Sequence, residues 1–418
     1  MPTQVPTLSQ SLEDWLTFIL AVHPSEIEMG LPRVRQVAEN MGLLQLPEST
    51  IITVAGTNGK GSTCAMMESI LLAGDFSVGV FSSPHLHRYN ERVRINREEL
   101  EDRDHIEAFS AINEARGDIQ LTFFEYSTLG ALYLFAKYRP QVVLLEVGLG
   151  GRLDATNIID AHMAVITSID LDHQEYLGNT REAVGREKAG VMRPQCFAII
   201  GEPSPPQSLL DYGNKIDAGL LLVGEDFSGV FFEDSWQFDG QFRTLSNLPI
   251  PQLPKANAIT ALAALECYFP SLTDAQIRQG LQQAQLAGRM QWLADNVVTD
   301  VAHNPHACRH LAQQLAQIKA KRQGKVWAVC AMLEDKDIES SLAPLLSVVD
   351  HWLPAALSVP RGSDGNRIQQ QTAASACYGD VAEAIETAKS QAGELDLVIV
   401  FGSFYTVAQA QSAVLGES

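Results

Sequence analysis

The sequence predicts two α/β domains: a larger N-terminal domain with a mainly parallel sheet and a small antiparallel add-on, then a smaller C-terminal α/β domain. Three observations lead to this fold class. Short β-rich runs alternate with helical stretches along most of the chain. The segment 227–245 instead alternates polar and apolar residues and contains Asp239-Gly240, a hairpin signal. Strand and helix patterns then alternate again from Met290 onward, which indicates a second sheet.

The individual elements follow in chain order. Ile51–Val54 is rich in β-branched residues and predicts a strand, and Cys64–Ala73 has helical spacing. Later strands are predicted at Ser77–Phe81, Val142–Val147, Ala164–Ile169, Phe197–Ile200, Trp292–Val301, Lys325–Ala331, Val348–Leu353 and Leu395–Phe401. Later helices are predicted at Leu253–Phe269, Asp274–Gln285, 305–320, 380–391 and 404–414. We therefore expect domains at 1–288 and 298–418, joined by a linker at 289–297.

Composition limits the classes of function. The chain has 418 residues with 30 Lys and Arg against 50 Asp and Glu, a formal net charge of −20, which argues against broad binding to nucleic acid or membrane surfaces. Its six cysteines lie far apart without a CxxC pair, so neither a zinc site nor a redox motif is indicated. We find no signal-peptide pattern and no apolar run of membrane-spanning length. A reducing cytoplasm is the expected compartment.

The segment VAGTNGKGST (54–63) joins an apolar strand to an apolar helix. Glycines let the backbone come close to a ligand, the helix start adds free N–H groups, and the lysine adds a charge. The pattern predicts a P-loop-type phosphate cradle made by Gly56, Gly59, Lys60, Gly61 and a hydroxyl of Ser62 or Thr63. Its spacing differs from the GxxxxGKS/T loop, because a glycine follows the lysine. The alternative is an ordinary glycine-rich turn with a solvent-exposed lysine.

Polar side chains also mark the ends of three other predicted strands. Ser82 and Ser83 follow the second strand, where open α/β sheets bind ligands, although a plain polar loop is the alternative. Glu146 lies near the end of an apolar strand, which favours a Mg²⁺-linked role over a structural ion pair with Arg152. Asp170, Asp172 and His173 follow a further strand and predict the same site. A structural histidine is the alternative there.

Lys188 lies on a helical stripe that we expect to be buried. Asn179 is the predicted helix cap, and the apolar positions then run through Val184, Lys188 and Val191. One interpretation is a lysine that extends its amine to solvent. The alternative is a buried lysine with a depressed pKa, whose neutral amine reacts with carbonyl compounds such as CO₂.

These motifs together resemble the folylpolyglutamate synthase and dihydrofolate synthase family of the Mur-ligase superfamily. The resemblance extends in order over nearly the whole chain. The first loop motif marks the superfamily, and SSPHLHRYNERVRIN with RLDATN narrows the match to the folate branch. The matching segments are Gly56–Ser62 (GTNGKGS), Ser82–Leu86 (SSPHL), Glu146–Gly151 (EVGLGG), Arg152–Asn157 (RLDATN), Asp172–His173, Glu187–Gly190 (EKAG) and Asp300–Pro305 (DVAHNP).

The resemblance implies an ATP-dependent amide ligase with a Rossmann-like C-terminal domain and two Mg²⁺ sites. It assigns ATP contacts to Gly56, Thr57, Asn58, Gly59, Lys60, Gly61, Ser62, Asn257, Arg289 and Asp300. It assigns Mg²⁺ ligands to Ser83, Glu146, His173 and a carbamate on Lys188, and contacts with the incoming L-glutamate to His303 and Ser403. Lys60, Glu146, His173 and Lys188 are then the residues expected to support catalysis.

The resemblance also bears on the substrate. Bifunctional bacterial members join glutamate to dihydropteroate as well as to reduced folates, and single-activity members extend only folates. Phe123 and Phe124 are expected to stack on a pterin, although paired phenylalanines often belong to a core. The full set of residues expected to form a pterin site, which favours the bifunctional type, is Met29, Gly30, Leu31, Pro32, Thr122, Phe123, Phe124, Glu125, Leu153, Asp154 and Ala155.

Other readings remain open beside the bifunctional one. A single-activity folylpolyglutamate synthase, which extends only folates, is one alternative. A cell-wall Mur ligase is disfavoured because it normally has an extra N-terminal domain, and here the loop begins at Gly56. A nucleotide-dependent switch that forms no amide is the remaining alternative. Ala287 stands before Gly288-Arg289 where the family often has proline, so we expect altered linker stiffness with ATP binding kept. Small-molecule substrates and a monomeric protein are expected.

Overall fold

The computed structural model describes residues 5–23, 25 and 27–416. The chain divides into two compact units, with the division between Gln285 and Leu286. No helix among these described residues is long and apolar enough to cross a membrane.

The first unit is built on an eight-stranded sheet with the order β4-β3-β2-β5-β1-β6-β7-β8. Along this order, every neighbouring pair from β2 through β5, β1, β6 and β7 to β8 is parallel. At one edge of the sheet, β3 pairs antiparallel with β2, and β4 pairs antiparallel with β3. The central strands are apolar because helices cover both faces. The strands are β1 Thr50–Ala55, β2 Val78–Phe81, β3 Val93–Ile95, β4 Glu98–Glu99, β5 Val142–Glu146, β6 Met163–Ile166, β7 Phe197–Ile200 and β8 Gly219–Leu222.

Among its described residues, the first unit also has ten α-helices and a small sheet. The helices are α1 Leu12–Val22, α2 Pro32–Met41, α3 Lys60–Ala73, α4 Asp102–Arg116, α5 Phe123–Tyr138, α6 Gln174–Leu177, α7 Arg181–Ala189, α8 Gln207–Lys215, α9 Lys255–Tyr268 and α10 Asp274–Gln283, with 3-10 turns at Tyr89–Arg92 and Ala155–Ile158. Strands β9 Ser228–Phe231, β10 Ser235–Asp239 and β11 Thr244–Pro249 form an antiparallel sheet. The predicted antiparallel add-on is therefore confirmed.

The second unit is a five-stranded sheet with the order β12-β13-β16-β14-β15, in which only β12 is antiparallel. Its elements are β12 Gln291–Ala294, β13 Val297–Asp300, α11 Pro305–Arg322, β14 Val326–Cys330, α12 Ile338–Leu342, a 3-10 turn at Ala343–Leu345, β15 His351–Pro354, α13 Asn366–Thr372, α14 Val381–Gln391, β16 Leu397–Phe401 and α15 Phe404–Leu415. The predicted class of two α/β units is confirmed.

Local predictions differ from the structure in several places, and the predicted strand Val348–Leu353 begins only at His351. Trp292–Val301 was expected to be one strand, but β12 and β13 form a hairpin there, because the chain turns at Asp295-Asn296. Helix α7 is capped by Thr180, whose hydroxyl accepts from the amide of Ala183, one residue after the expected cap Asn179. The residues expected to form a linker, 289–297, thus include strand β12.

The sheet order places the candidate site. β5, β1 and β6 lie side by side at the centre. After β1 the chain forms β2 and β5 on one side of β1, and it then forms β6 on the other side. In open α/β sheets this reversal leaves a crevice at the carboxyl ends of the strands, where ligands bind. The loops that follow β1, β2, β5 and β6 all begin at this edge, so the sequence motifs noted above meet there.

Candidate active site

The loop after β1 needs glycine at two positions. Gly59 has φ 87°, and a β-carbon there would lie 2.6 Å from Oδ1 of Asn257 in α9. A β-carbon at Gly56 would collide with the hydroxyl of Thr167. Helix α3 begins at the next residue, Lys60, so its first N–H groups point into the loop. The loop has the shape of a phosphate cradle, with Asn257 packed on one side of it.

Hydrogen bonds fix this loop to the segment that follows β6. The Thr57 hydroxyl donates to the carbonyl of Asp170 at 3.0 Å, and the Thr57 amide donates to the carbonyl of Ser168 at 2.8 Å. The Asn58 amide donates to Oγ of Ser168 at 3.0 Å, and the Thr167 hydroxyl donates to the Asn58 carbonyl at 2.6 Å. The cradle is therefore preorganised by two strand ends.

Lys60 lies over the loop that it follows. Its Nζ donates to the carbonyl of Gly56 at 2.9 Å and to that of Thr57 at 3.4 Å. Ser62 is 3% exposed in the first turn of α3, with Gly61 before it. The ammonium group therefore adds a full positive charge to the helix N-terminus.

Ser83 and Glu146 lie together at the ends of β2 and β5. The Ser83 amide is 3.4 Å from Oε2 of Glu146, which is buried in the last position of β5. The alternative that Glu146 pairs with Arg152 is not the arrangement found, because Arg152 donates to Oε1 of Glu187 at 2.8 Å.

The pKa of Cys64, in the first turns of α3, depends on the charged groups near Glu146. Burial raises the pKa of its thiol, the charges of Glu146 and Glu68 raise it further, and those of Arg94 and Lys60 lower it. The Glu146 carboxylate is thus close to the start of α3, beside the phosphate loop.

His173 follows β6 in a left-handed conformation with φ 46°. Its side chain is 41% exposed, and its Nε2 lies 3.9 Å from Oδ1 of Asp172. Asp170 uses its backbone to hold Thr57. Within the part of the chain that the structure describes, no three His, Cys, Asp or Glu side chains form a metal-binding group. A cation at Glu146 would therefore need serine, phosphate or water oxygens, as Mg²⁺ commonly does.

Lys188 is buried in the last turn of α7, with 2% of its surface exposed. The predicted burial of this lysine is observed. Burial lowers the pKa of its amine to about 7, the nearby charge of Lys60 lowers it too, and Asp172 and Asp154 raise it. The amine thus lies near the phosphate-loop lysine and the loop after β6.

The segments expected to form a pterin site come together at the start of α5. Thr122 and Glu125 form a capping box, in which Glu125 accepts from the Thr122 amide at 2.8 Å. Glu125 is buried and also accepts from Nε of Arg33 at 2.9 Å, and Arg33 in turn pairs with Glu28. Sequence reasoning missed this Arg33–Glu125 link. The T-x-x-E pattern was a visible signal for the cap only.

Phe124 and the glycines after β5 define one wall of this region. A β-carbon at Gly148 would be 2.5 Å from the Phe124 ring, and one at Gly150 would be 3.6 Å from the Met29 methyl group. The Phe123 ring lies 5.1 Å from the Arg92 guanidinium carbon. Gly30 and Leu31 lead into α2, which begins at Pro32, and the half-buried Leu153 precedes Asp154.

Asp154 and Ala155 lie at the start of a 3-10 turn. The Asp154 carboxylate accepts from the amides of Thr156 at 3.0 Å and Leu149 at 2.8 Å. Burial raises the pKa of this carboxyl group. Ala155 is buried beside it. The acid therefore organises the loop after β5.

In the second unit, Asp300 and Arg289 lie near one another. Asp300 ends β13 and accepts from the amides of Met290 at 3.0 Å and Ala302 at 2.9 Å. Burial raises the pKa of this carboxyl group, and the Arg289 charge lowers it. The Arg289 guanidinium carbon lies 5.5 Å from the ring centre of Phe404, at the start of α15.

His303 and Ser403 follow the neighbouring parallel strands β13 and β16. Nδ1 of His303 is 2.8 Å from the Val301 carbonyl. Ser403 is buried and caps α15, where its hydroxyl accepts from the Thr406 amide at 3.0 Å. Both residues therefore lie at the carboxyl edge of this sheet.

Two protein-family models match this chain, one within each of its two units. A family model described as the Mur ligase middle domain matches residues 54–205, and one described as the Mur ligase, glutamate ligase domain matches residues 288–404. The dihydrofolate synthase/folylpolyglutamate synthase of Escherichia coli strain K12 is 45% identical over 413 residues, covering 98% of this chain and 97% of the relative. This chain belongs to the dihydrofolate synthase/folylpolyglutamate synthase family. The Haemophilus influenzae protein of the same name is 42% identical over 428 residues, covering 96% of this chain and 97% of the relative.

Solved structures of the dihydrofolate synthase/folylpolyglutamate synthase family share the whole fold. FolC of E. coli in complex with DHPP and ADP matches with a TM-score of 0.95 and 45% identity, covering 98% of this chain and 99% of that chain. The Yersinia pestis bifunctional enzyme complexed with AMPPNP and Mn ion matches with a TM-score of 0.94 and 47% identity, covering 99% and 100%. A structure with Mn, AMPPNP and L-glutamate bound has a TM-score of 0.93 and 47% identity, covering 99% and 100%.

Proposed function

We propose that this protein is an ATP-dependent ligase that adds L-glutamate to dihydropteroate, giving dihydrofolate, and to reduced folates. One observation carries the proposal: a chain 45% identical to a dihydrofolate synthase/folylpolyglutamate synthase over almost its whole length has the phosphate loop and Glu146 at one sheet edge. The relatives' structures with DHPP, L-glutamate, ADP and AMPPNP support these substrates.

The chemistry follows from the weak acylating power of a carboxylate. The pteroate or folate carboxylate attacks the γ-phosphorus of ATP, which forms an acyl phosphate and releases ADP. The glutamate amine then attacks the acyl carbon, and phosphate leaves as the amide forms and the amine loses a proton. Lys60 and the N-terminus of α3 stabilise the negative charge that develops on the transferred phosphoryl group.

A divalent cation fits the first unit of this structure. Mn in the relatives' structures supports it, and the carboxylate of Glu146 next to Ser83 offers the oxygen donors that Mg²⁺ prefers. We assign Ser83, Glu146 and His173 as the residues that hold Mg²⁺. When bound, the cation neutralises charge on the transferred phosphoryl group.

A second Mg²⁺ and a carbamate on Lys188 are part of the proposal. The amine is buried, and its lowered pKa of about 7 leaves much of it neutral near pH 7, as reaction with CO₂ requires. A carbamate would reverse the charge and give two oxygen ligands. The buried position beside Lys60 suits an anion better than a second ammonium group.

The remaining contacts complete the assignment. We propose that Asn257, Arg289 and Asp300 contact ATP and that His303 and Ser403 contact L-glutamate. The packing of Asn257 on Gly59 supports the proposed contact of Asn257 with ATP. The position of His303 and Ser403 at the carboxyl edge of their sheet supports their proposed contacts with L-glutamate. We also propose that the protein is a monomer. The six free cysteines fit a cytoplasmic protein.

The pterin would bind beside the start of α5. Phe124 packs on Gly148 and Met29 lies near Gly150 in the glycine-rich stretch after β5, and the Leu149 amide of that stretch donates to Asp154. Glu125 would act indirectly, because its carboxylate is held by Arg33 and Thr122. This arrangement favours the bifunctional enzyme over a single-activity folylpolyglutamate synthase.

An assay of glutamate addition with dihydropteroate and tetrahydrofolate side by side tests the proposal. We expect amide formation on both acceptors. Product from tetrahydrofolate alone would assign the single-activity type. Nucleotide hydrolysis without amide formation on either acceptor would instead assign a nucleotide switch.

A further inference from the structure

Helix α3 contains a buried carboxylate that the proposed mechanism does not use. Glu68 lies two turns after Lys60, about 12 Å along the helix, and only 3% of it is exposed. Its Oε1 is buried and has no hydrogen-bond partner among the described residues. Burial of an ionised carboxylate is costly unless a cation pairs with it, so this residue calls for a partner of opposite charge.

Arg94 in β3 supplies that charge and reaches a second element. Its Nη2 is 3.2 Å from Oε2 of Glu68, and its Nη1 donates to Oγ of Ser82 at 3.1 Å and to the carbonyl of Glu91 at 3.2 Å. The guanidinium side chain is 19% exposed. One arginine thus connects the helix of the phosphate loop to the loop that follows β2.

Ser82 is held from its backbone as well. Its amide donates to the carbonyl of Arg92 at 3.0 Å, which continues the β2–β3 pairing, and the next amide, that of Ser83, faces Oε2 of Glu146. The Arg94 hydrogen bond orients the hydroxyl of Ser82. Ser83 therefore follows a residue whose amide and hydroxyl are both held by hydrogen bonds.

We propose that Arg94, held by Glu68, is a positioning residue that fixes the Ser82-Ser83 loop against helix α3 and thereby sets Ser83 beside Glu146. The inference rests on the proposed function in one respect, the assignment of Ser83 and Glu146 as metal ligands. Residues that orient metal ligands commonly contribute about 10- to 100-fold to metal affinity. The side-chain contacts of Arg94 go to Glu68, Ser82 and Glu91, none of which is a proposed metal ligand.

The test uses Mn²⁺ binding to the full chain in the presence of AMPPNP, followed by electron paramagnetic resonance. Ser82→Ala removes one hydroxyl that contacts Arg94. The double variant Glu68→Met/Arg94→Met removes both buried charges together and so avoids leaving an unpaired carboxylate, a change that is often tolerated. Arg97→Met is the matched control, because Arg97 also reaches α3, donating to Oγ of Ser69 at 2.6 Å, without contacting Ser82.

We expect the double variant to weaken Mn²⁺ binding about tenfold, and Ser82→Ala to weaken it in the same direction by less. The Kd for AMPPNP without metal and the melting temperature are expected to stay near those of Arg97→Met. Wild-type Mn²⁺ affinity in the double variant and in Ser82→Ala would overturn the proposal. An equal loss in Arg97→Met would assign a general role in packing and would also overturn it.

Amide formation is measured separately on the same variants. A failure of the wild-type chain to form the amide would reject the proposed function, while the Mn²⁺ measurement would still decide the role of Arg94. With an active wild type, we expect the Mg²⁺ concentration for half-maximal rate to rise in both Ser82→Ala and the double variant. The KM for dihydropteroate is expected to stay constant.

Discussion

The side-chain amide of Asn257 lies directly on Gly59, so that a β-carbon at Gly59 would be 2.6 Å from Asn257 Oδ1. Gly59 precedes helix α3, and Asn257 lies in the first turn of α9. The contact joins a distant helix to the phosphate loop. Because Asn257 occupies the space above the loop, only a residue without a side chain fits at position 59.

We expect Gly59→Ala to lose nucleotide affinity at least about tenfold, because the methyl group would displace Asn257 and the loop. Gly42→Ala is the matched control, since Gly42 also has positive φ, 68°, but nothing lies within 4 Å of a β-carbon there. Both variants carry the left-handed strain of about 1–2 kcal/mol. Calorimetric titration with AMPPNP compares them. Equal AMPPNP affinity in the two variants would contradict the role of this contact.

Glu146→Gln and His173→Ala are expected to raise the Mg²⁺ concentration needed for half-maximal rate. Glutamine keeps the shape of Glu146 but removes its negative charge, and alanine removes the imidazole. We expect a change of about tenfold or more for Glu146→Gln. Metal titrations at saturating ATP provide the measurement. Curves that match the wild type would show that these two residues are structural.

Activity is expected to depend on bicarbonate after the protein is stripped at low pH, because only the neutral amine of Lys188 reacts with CO₂. The pKa of about 7 gives the direction: the neutral fraction falls as pH drops below 7, so reactivation by bicarbonate is expected to slow there. The rate of reactivation is measured from about pH 6 to about pH 8, that is, over about one pH unit on either side of that pKa.

Lys188→Ala is expected to be nearly inactive, and a short carboxylic acid in solution is expected to restore part of the rate by replacing the missing ligand. Exposed Lys389→Ala serves as the control for loss of a lysine. An experimental structure with metals bound and an unmodified Lys188 amine directed to solvent would exclude the carbamate.

Phe124→Ala is expected to raise the KM for dihydropteroate, because the ring that packs on Gly148 would be lost. The KM for ATP is expected to remain unchanged, since the loop of residues 56–62 does not depend on this ring. Steady-state kinetics with each substrate varied in turn distinguish the two effects. Unchanged kinetics for dihydropteroate would assign Phe123 and Phe124 to the core.

Local patterns in the sequence predicted much of this arrangement. The run of β-branched residues before Gly56 and the helical spacing after Lys60 gave a strand, loop and helix in the observed order. The spacing of Val184 and Lys188 predicted that the lysine is buried, as it is. These predictions succeed because each depends on residues only a few positions apart.

Contacts between distant segments could not be predicted in this way. Arg33 and Glu125 lie in different helices, and the Arg94–Glu68 pair joins a strand to a helix, so no periodicity relates them. The β12–β13 hairpin was missed because Asp295-Asn296 interrupts an otherwise β-rich run by only two residues. The shift from Asn179 to Thr180 as helix cap reflects two adjacent residues that are both good caps.

The proposed ligase reaction is tested most directly by the release of phosphate from ATP by the wild-type chain with dihydropteroate and L-glutamate. We expect equimolar phosphate and dihydrofolate, with no steady phosphate release when either dihydropteroate or glutamate is left out. We also expect Lys60→Ala to abolish the reaction while the chain stays folded, because the lysine acts on charge at the phosphates and not on packing. Phosphate release independent of glutamate, or near-normal turnover by Lys60→Ala at saturating ATP, would contradict the proposed reaction.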